Sequence, residues 1–554
     1  MSAIRHIIGI DISTQTITAM LIGVAEENGA PVELVISSAW TESRPCRDEI
    51  GRKNPAVWVE LVRECIAGLK RKAREAEGAE AIGVSTTFPG CFAVLLDGSI
   101  DPSFASLYDN TNDDGICAAE FDDALGRAES ETLSRMWPGN MAIGLAHVVR
   151  SGGLRLDTVT GVVPPNTAFA HELLRAAGLA PDPAGLVTDF TQATIGGLYD
   201  SRTGEPVPPG VADLLRRAVP EIDPEHLRSL LPSPVPSWRN AIPAEALTSV
   251  RTLLGLPKLI SISIGAGDSP LGTLALLSGT DTVINVRGSS DSPMIVVDSP
   301  KPRAGPRETV LHYPLPTATC LGDSPWCVVA PMLRSGRVWD WVRNLRFPDG
   351  DASADSELEA LALEAARASG RDGDRPLRDR DGDRPRDRIA FDTALGGERA
   401  PLWDASATGA ITGLVESHRL GDIALAALEG MSRTLGECIH LMEERYQVRP
   451  ERLLLVGGPA NNRLWNWITQ VHAGKKTFAT TFSDASLLGA ALLGYGALYD
   501  GRETDASVAK RLGSLSRFSS SHPLVAPMPV TPPAPELVLA DGTDQQIKSS
   551  HNVS

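Results

Sequence analysis

Ile7, Ile8 and Ile10 form an apolar run that ends at Asp11, and after the polar residues Ser13, Thr14 and Thr16 apolar positions resume from Ile17 to Ile22. This pattern predicts two strands joined by a short polar turn, a hairpin over residues 6–23 with a carboxylate at its neck. Small residues let backbone N–H groups approach an anion, and a carboxylate beside them can hold the hydrated magnesium that accompanies nucleotide phosphates. Taken alone, the same hairpin serves equally as the edge of an ordinary α/β domain with a solvated Asp11. Residues 31–37 supply a further strand, and residues 54–76 carry helical apolar spacing through Val57, Leu61, Cys65 and Leu69. Short buried strands follow at 81–85 and 92–96, the second ending in the turn Asp97-Gly98. Such strand–helix–strand traffic implies a mixed or parallel sheet flanked by helices, with ligands lying off the strand ends.

Residues 101–185 read as mostly helical or irregular. A proline-rich stretch then runs from Pro206 to Pro243, and its cluster Leu231-Pro-Ser-Pro-Val-Pro236 marks a domain boundary, because proline blocks pairing and helix continuation. A second α/β unit is expected from about Lys258, with residues 259–264 as its first strand, then Gly265-Ala-Gly-Asp268 and a small-residue helix over 269–278. Residues 281–297 repeat the strand, Gly/Ser turn, strand pattern of residues 6–23. A phosphate-sized turn in each half is what a nucleotide clasped between two related domains requires. Further on, residues 420–444 predict an amphipathic helix and 452–456 a buried strand. Gly457-Gly458 then turns into a helix at about Asn461, where a flat ligand or phosphate can lie against backbone. The expected organisation is an N-terminal domain over 1–243, a C-terminal domain over 244–519, and a disordered tail over 520–554 with six prolines between Pro523 and Pro535. Residues 371–388, with seven Arg and six Asp, read as a solvated surface loop.

Composition narrows the function classes. Of 554 residues, 42% are hydrophobic and 22% charged, as in a folded soluble protein, and the net charge of −17 argues against a nucleic-acid or anionic-membrane binder. The longest uncharged apolar run, 487–499, is short of the roughly 20 residues that span a bilayer, and Asp11 interrupts what would be the centre of a signal peptide. A cytoplasmic protein is expected. The seven cysteines are odd in number and contain no C-x-x-C pair, which points to idle or buried thiols.

Five stretches in order carry a resemblance: Gly9-Ile-Asp-Ile-Ser-Thr14; Thr188-Asp-Phe-Thr-Gln-Ala-Thr194 with Leu198-Tyr-Asp200; Gly265-Ala-Gly-Asp268; Gly397-Glu-Arg-Ala-Pro401; and Gly457-Gly-Pro-Ala-Asn-Asn-Arg-Leu-Trp465 followed by Asp484-Ala-Ser-Leu-Leu-Gly-Ala-Ala491. Together, over roughly residues 6–500, they resemble the FGGY carbohydrate kinases of the actin/hexokinase/Hsp70-like ATPase group. The resemblance implies an α/β fold of two ribonuclease-H-like (actin-like ATPase) domains, with ATP in the cleft between them and a sugar or polyol deeper in the first. It further implies that Asp11 organises Mg2+ through water, that Ser13 and Thr14 face the phosphates with Gly288 and Ser289 opposite, and that Gly457, Gly458 and Asn462 border the adenosine. Asp268 matches the catalytic aspartate, which accepts the proton of the attacking hydroxyl and contacts substrate. A helix N-cap is the plain alternative for Asp268, since Ser269-Pro270 follows.

The substrate region departs from the family pattern. Where many ketose kinases have Gln-x-His-Gly, this chain reads Ser85-Thr-Thr-Phe-Pro-Gly90, with Pro89 in place of His. Ser106-Leu-Tyr-Asp-Asn-Thr111 keeps only Asp109 of a W-x-D-x-R segment, so Asp109 is the remaining candidate for substrate hydroxyls. An ion pair between Glu398 and Arg399 bracing the hinge is as fair a reading as ligand contact, and Asp189 is expected to be a structural anchor. The expected activity is ATP-dependent phosphorylation of a primary hydroxyl on a small sugar or polyol. The rival is a catalytically weak relative that binds nucleotide or sugar as a regulator. Assembly state is not written in these residues; a homodimer is carried as an expectation.

Overall fold

The computed structural model describes residues 3–533 apart from 47–50, 183–184, 278, 302, 304, 324, 349–351 and 370–388. The charged segment 371–388 therefore lies outside the described residues. The predicted hairpin is present as β1 (Ala3–Ile12) and β2 (Thr16–Glu27), paired antiparallel, and β3 (Ala30–Pro45) adds to β2. The chain crosses through α1 (Pro55–Lys72), whose N-cap Asn54 accepts a hydrogen bond from the Ala56 N–H, and returns as β4 (Ala81–Thr86), parallel to β1. Every residue of β4 is buried, as expected for a central strand covered on both faces.

Two short strands complete this sheet from far along the chain. β5 (Ser261–Ile262) and β6 (Ala266–Gly267) both pair parallel with β4. Residues 259–264, expected as the first strand of the second unit, thus belong to the edge of the first sheet. The proline cluster that suggested a boundary contains a short strand, Ser233–Val235, that pairs with Val187–Asp189. A further strand, Val159–Val163, pairs with Gly90–Leu95 inside the stretch read as helical or irregular.

After β6 comes α2 (Asp268–Leu276), and then a second sheet repeats the theme of the first. β7 (Thr282–Arg287) and β8 (Asp291–Val297) form a hairpin, while β9 (Leu311–Pro314) and β10 (Trp326–Val329) extend it beyond β8. α3 (Gly336–Asn344), α4 (Ala352–Ala368) and α5 (Leu420–Tyr446) follow, after which β11 (Arg452–Val456) runs parallel to β7 as β4 does to β1. α6 (Arg463–Ala473), β12 (Lys476–Ala479) and α7 (Ala485–Ala497) come next. β13 (Met528–Pro529) pairs with β12, and Val525 is fully buried, so the described start of the expected tail is folded against the second sheet. Residues 534–554 lie outside the described residues.

α7 explains how the two sheets become one body. Its sequence ASLLGAALLGYGA is apolar all round, and every residue but Ser486 is buried. It crosses β1 and β4 so closely that a Cβ at Gly83 would stand 1.6 Å from the Ala490 carbonyl oxygen, and its own Gly489 meets the α2 backbone at Leu271. A single hydrophobic cluster accordingly includes Ile7 and Met20 of the first sheet, Leu271 of α2, Leu488 and Leu492 of α7, and Ile284 and Leu454 of the second.

Candidate functional site

The two hairpin turns face each other across a cleft. In the first, the Ser13 hydroxyl donates to the Thr16 carbonyl at 2.8 Å and accepts from the Thr16 N–H at 3.2 Å. The side chain of Ser13 is thereby folded into the turn, and Thr14 is left lining the cleft beside it. At the neck, Asp11 accepts a hydrogen bond from the Ser85 hydroxyl of the neighbouring strand. Burial raises its carboxyl to about 6, against the help of Ser85 and Ser486 and with the charge of Asp484 adding to the rise.

Asp268 lies at the start of α2, one position inside the helix, with Gly267 as the N-cap. The expected N-cap alternative is thus displaced by one residue. Its carboxylate accepts from the Ser269 N–H at 2.6 Å, and burial followed by the charge of Asp11 pushes its pKa up to about 7. Two buried carboxylates, of which Asp11 raises Asp268, offer only oxygen donors and match a hard, partly hydrated divalent cation such as magnesium, which is bound by one or two carboxylates together with phosphates and water. Asp11 and Asp268 would stand closest to it. Among the described residues no cluster of three or more His, Cys, Asp or Glu converges on a metal position.

The second turn is built differently. Arg287, at the end of β7, is fully buried: its guanidinium stacks 4.0 Å over the ring of Trp465, donates to Asn466 and Thr469, and pairs with Asp291 at 3.4 Å. Burial pushes Arg287 down and Asp291 up, the directions expected of a desolvated pair. Gly288 closes the turn with its N–H on the Ser290 carbonyl, and the start of α3 packs on it, with the Gly336 N–H donating to the Gly288 carbonyl at 3.0 Å. Gly288 and Ser289 line the cleft.

Gly457 and Gly458 divide their work. Gly457 has φ +107°, and a Cβ there would lie 2.1 Å from the Arg287 carbonyl oxygen, so its glycine is demanded by the contact between the ends of β11 and β7. Gly458 has open space where a side chain would go and faces the cleft. Asn462 caps α6 by accepting from the Trp465 N–H, and also lines the cleft.

The cleft has two chambers that share Tyr108, Asp268, Gly288 and Ser289. The large one, about 1110 Å³, is bounded by Ser13 and Thr14 on one side and by Gly458, Asn462, Trp339 and Glu359 on the other. The small one, about 180 Å³, is walled by Phe88, Pro89, Trp137, Tyr313 and Arg399. Asp109, the candidate for substrate hydroxyls, is held by Arg52 at 2.7 Å and faces the large chamber. Glu398 and Arg399 do not pair. Arg399 reaches across to donate to the Tyr108 carbonyl at 2.7 Å, with its pKa lowered by burial to about 10, while Glu398 is raised to about 7 by burial and then by Asp392, Glu437 and Asp404. Asp189 is an anchor as expected, its buried carboxylate accepting from Thr191, Gln192, Ser237 and Asn166.

Sequence reading missed Tyr108, Trp137 and Arg399 as cleft residues. Tyr108 precedes Asp109 in a segment read only through its carboxylate, and Arg399 sits in a motif for which a hinge brace and ligand contact are equally fair readings of the sequence. Trp137 carries no local signal, being brought in by packing alone.

The sequence model of the FGGY family of carbohydrate kinases, C-terminal domain, matches residues 285–498. The chain is 28% identical over 306 residues to a gluconokinase of Bacillus subtilis, covering 54% of this chain and 53% of the relative. It is 27% identical over 283 residues to the gluconokinase of Bacillus licheniformis, covering half of each. Residues 285–498 thus resemble the C-terminal domain of the FGGY carbohydrate kinases. The sequence match spans about half the length of these curated relatives. Over a longer span, the structure of a gluconate kinase from Lactobacillus acidophilus superposes with a TM-score of 0.69 at 19% identity, covering 93% of this chain and 96% of that one. A ligand-bound xylulose kinase from the same organism gives 0.67, also at 19% identity and with the same coverage. These structures establish the fold, a two-domain actin-like architecture with a cleft between the sheets.

Proposed function

We propose that this chain is an ATP- and magnesium-dependent kinase that phosphorylates a primary hydroxyl of a small sugar or polyol. The observation that carries the reading is the position of Asp268: it borders both chambers, one sized for a nucleotide and one for a small acceptor, and its pKa is raised to about 7. A base is most useful when its pKa lies near the working pH, so Asp268 can accept the acceptor's proton as that oxygen attacks the terminal phosphorus. The backbone of Ser13, Thr14, Gly288 and Ser289 and the hydroxyls of Thr14 and Ser289 hold the phosphates, and Gly458 and Asn462 border the adenosine. Magnesium, when bound near Asp11, supplies charge neutralisation on the phosphates. Relatives named gluconokinase, xylulose kinase and glycerol kinase support the acceptor class.

The second reading, a catalytically weak regulator that binds nucleotide or sugar, draws on the largely aromatic and apolar wall of the small chamber, where Phe88 and Pro89 present no hydrogen-bond donor to a sugar. ADP release against a panel of ketoses, aldoses, aldonates and alditols, with Asp268→Asn as control, tests both. Substrate-dependent ADP that disappears in the variant is the expected result, and its absence across the panel would replace the kinase with the regulator.

A further inference from the structure

Neither phosphate-facing turn contains a cation: residues 12–18 read Ile-Ser-Thr-Gln-Thr-Ile-Thr and residues 288–290 read Gly-Ser-Ser. A triphosphate that transfers its terminal group spreads growing charge over the departing bridge oxygen and the non-bridging oxygens, and fixed cations aimed there lower the barrier most. Among the described residues, the large chamber is lined by two cations, Arg52 and Arg337. Arg52 is held by Asp109 on the N-terminal wall. Arg337 has an exposed side chain, and no ion pair engages it among the described residues.

Its backbone is fixed with respect to the phosphate turn. The Arg337 N–H donates to the Ser289 carbonyl at 3.2 Å, and the preceding Gly336 lies so close to Gly288 that a Cβ would stand 2.3 Å from that carbonyl oxygen. Positive charge also gathers on this wall. Arg334 and Arg399 have pKa values pushed down first by burial, and the charge of Arg337 lowers both further. An anion placed among these groups relieves that repulsion.

We infer that Arg337 is a catalytic cation that donates hydrogen bonds to the terminal phosphoryl group of a nucleoside triphosphate as that group moves. The inference rests on the kinase reading. In the step, the bond from the acceptor oxygen to the terminal phosphorus forms and the bond from that phosphorus to the bridge oxygen breaks. The acceptor's proton passes to Asp268, the electron pair of the broken bond leaves with ADP, and Arg337 keeps its proton throughout. A guanidinium suits this role because its donors fork onto two phosphate oxygens at once.

The test uses the full-length protein with Arg337→Ala and Arg337→Lys, measuring turnover with the best acceptor and affinities for ATP, ADP and adenosine. Arg337→Ala is expected to lower kcat by about 10²-fold with the acceptor KM nearly unchanged, to abolish the preference for ATP over ADP, and to leave adenosine affinity intact. Arg337→Lys should regain part of the loss, and added guanidinium should partly rescue the alanine variant. An alanine variant that keeps turnover and ATP preference within threefold overturns the inference. If the native protein releases no ADP with any acceptor, the kinase reading fails separately. ATP affinity insensitive to Arg337→Ala would then also remove Arg337 from the phosphate site. The side chain is exposed, so unchanged thermal midpoints are expected for both variants.

Discussion

The two hairpin turns that face one another are alike in outline and opposite in construction. The first ends in Asp11, a carboxylate kept available by two hydroxyl donors and destabilised by burial, and its turn is closed by the backbone and the small side chain of Ser13 on Thr16. The second ends in Arg287, a charge consumed by Asp291, Asn466, Thr469 and the face of Trp465. One turn presents chemistry and the other holds shape. The two hairpins thus share a backbone outline while the side chains at comparable places serve separate tasks.

The sharpest way to break this contrast is on the side that presents chemistry. Asp268→Asn should lower turnover by about 10³-fold or more while ATP still binds, measured as ADP release and as nucleotide affinity. The same variant should be more resistant to heat at pH 8. A carboxyl raised to about 7 in the folded chain is charged at pH 8 at a cost to stability, and that cost shrinks as acid protonates it. The gain in melting temperature should therefore diminish between pH 8 and pH 5; a gain constant across that range removes Asp268 as its source.

Arg287→Met tests the side that holds shape. It leaves Asp291 buried without its partner and should cost about 3–5 kcal/mol in denaturant unfolding, with residual molecules keeping their magnesium requirement. Asp11→Asn should do the reverse, leaving the fold intact, lowering turnover by about 10²-fold and raising the magnesium needed for half-maximal rate. Native activity should rise with pH along a limb centred near 7, because the proposed base works only when deprotonated, and a flat profile from pH 5.5 to 8 would argue against it. Smallest of all, Ser13→Gly should change turnover by no more than about threefold, since its hydroxyl serves the turn with a hydrogen bond worth about 1 kcal/mol.

Both hairpins were legible because each is a local event: apolar alternation on either side of small polar residues. β11 was equally plain, four of its five residues buried and a glycine pair after it. β5 was legible as a strand but its sheet was not, and β6 was not legible at all, because parallel pairing with β4 joins residues about 180 positions apart, and nothing within 259–267 reveals which sheet will receive them. The same reason hid the partners of Asp109 and Arg399. Asp109 is 57 positions from Arg52, and Arg399 donates to a backbone carbonyl 291 positions away, a kind of contact that leaves no trace in residue type. Proline content misled at the C-terminus, where Pro529 sits on a short outer strand, a position that tolerates a missing N–H.

The seating of α7 has a consequence for synthesis of the chain. Ile7 and Gly83 belong to strands made early on the ribosome, yet the surface that covers them arrives only with Leu487 to Gly494. The first sheet must wait, one face bare, until about 400 residues beyond Gly83 have been made, so the nascent first sheet is the stretch on which a chaperone would find exposed apolar surface.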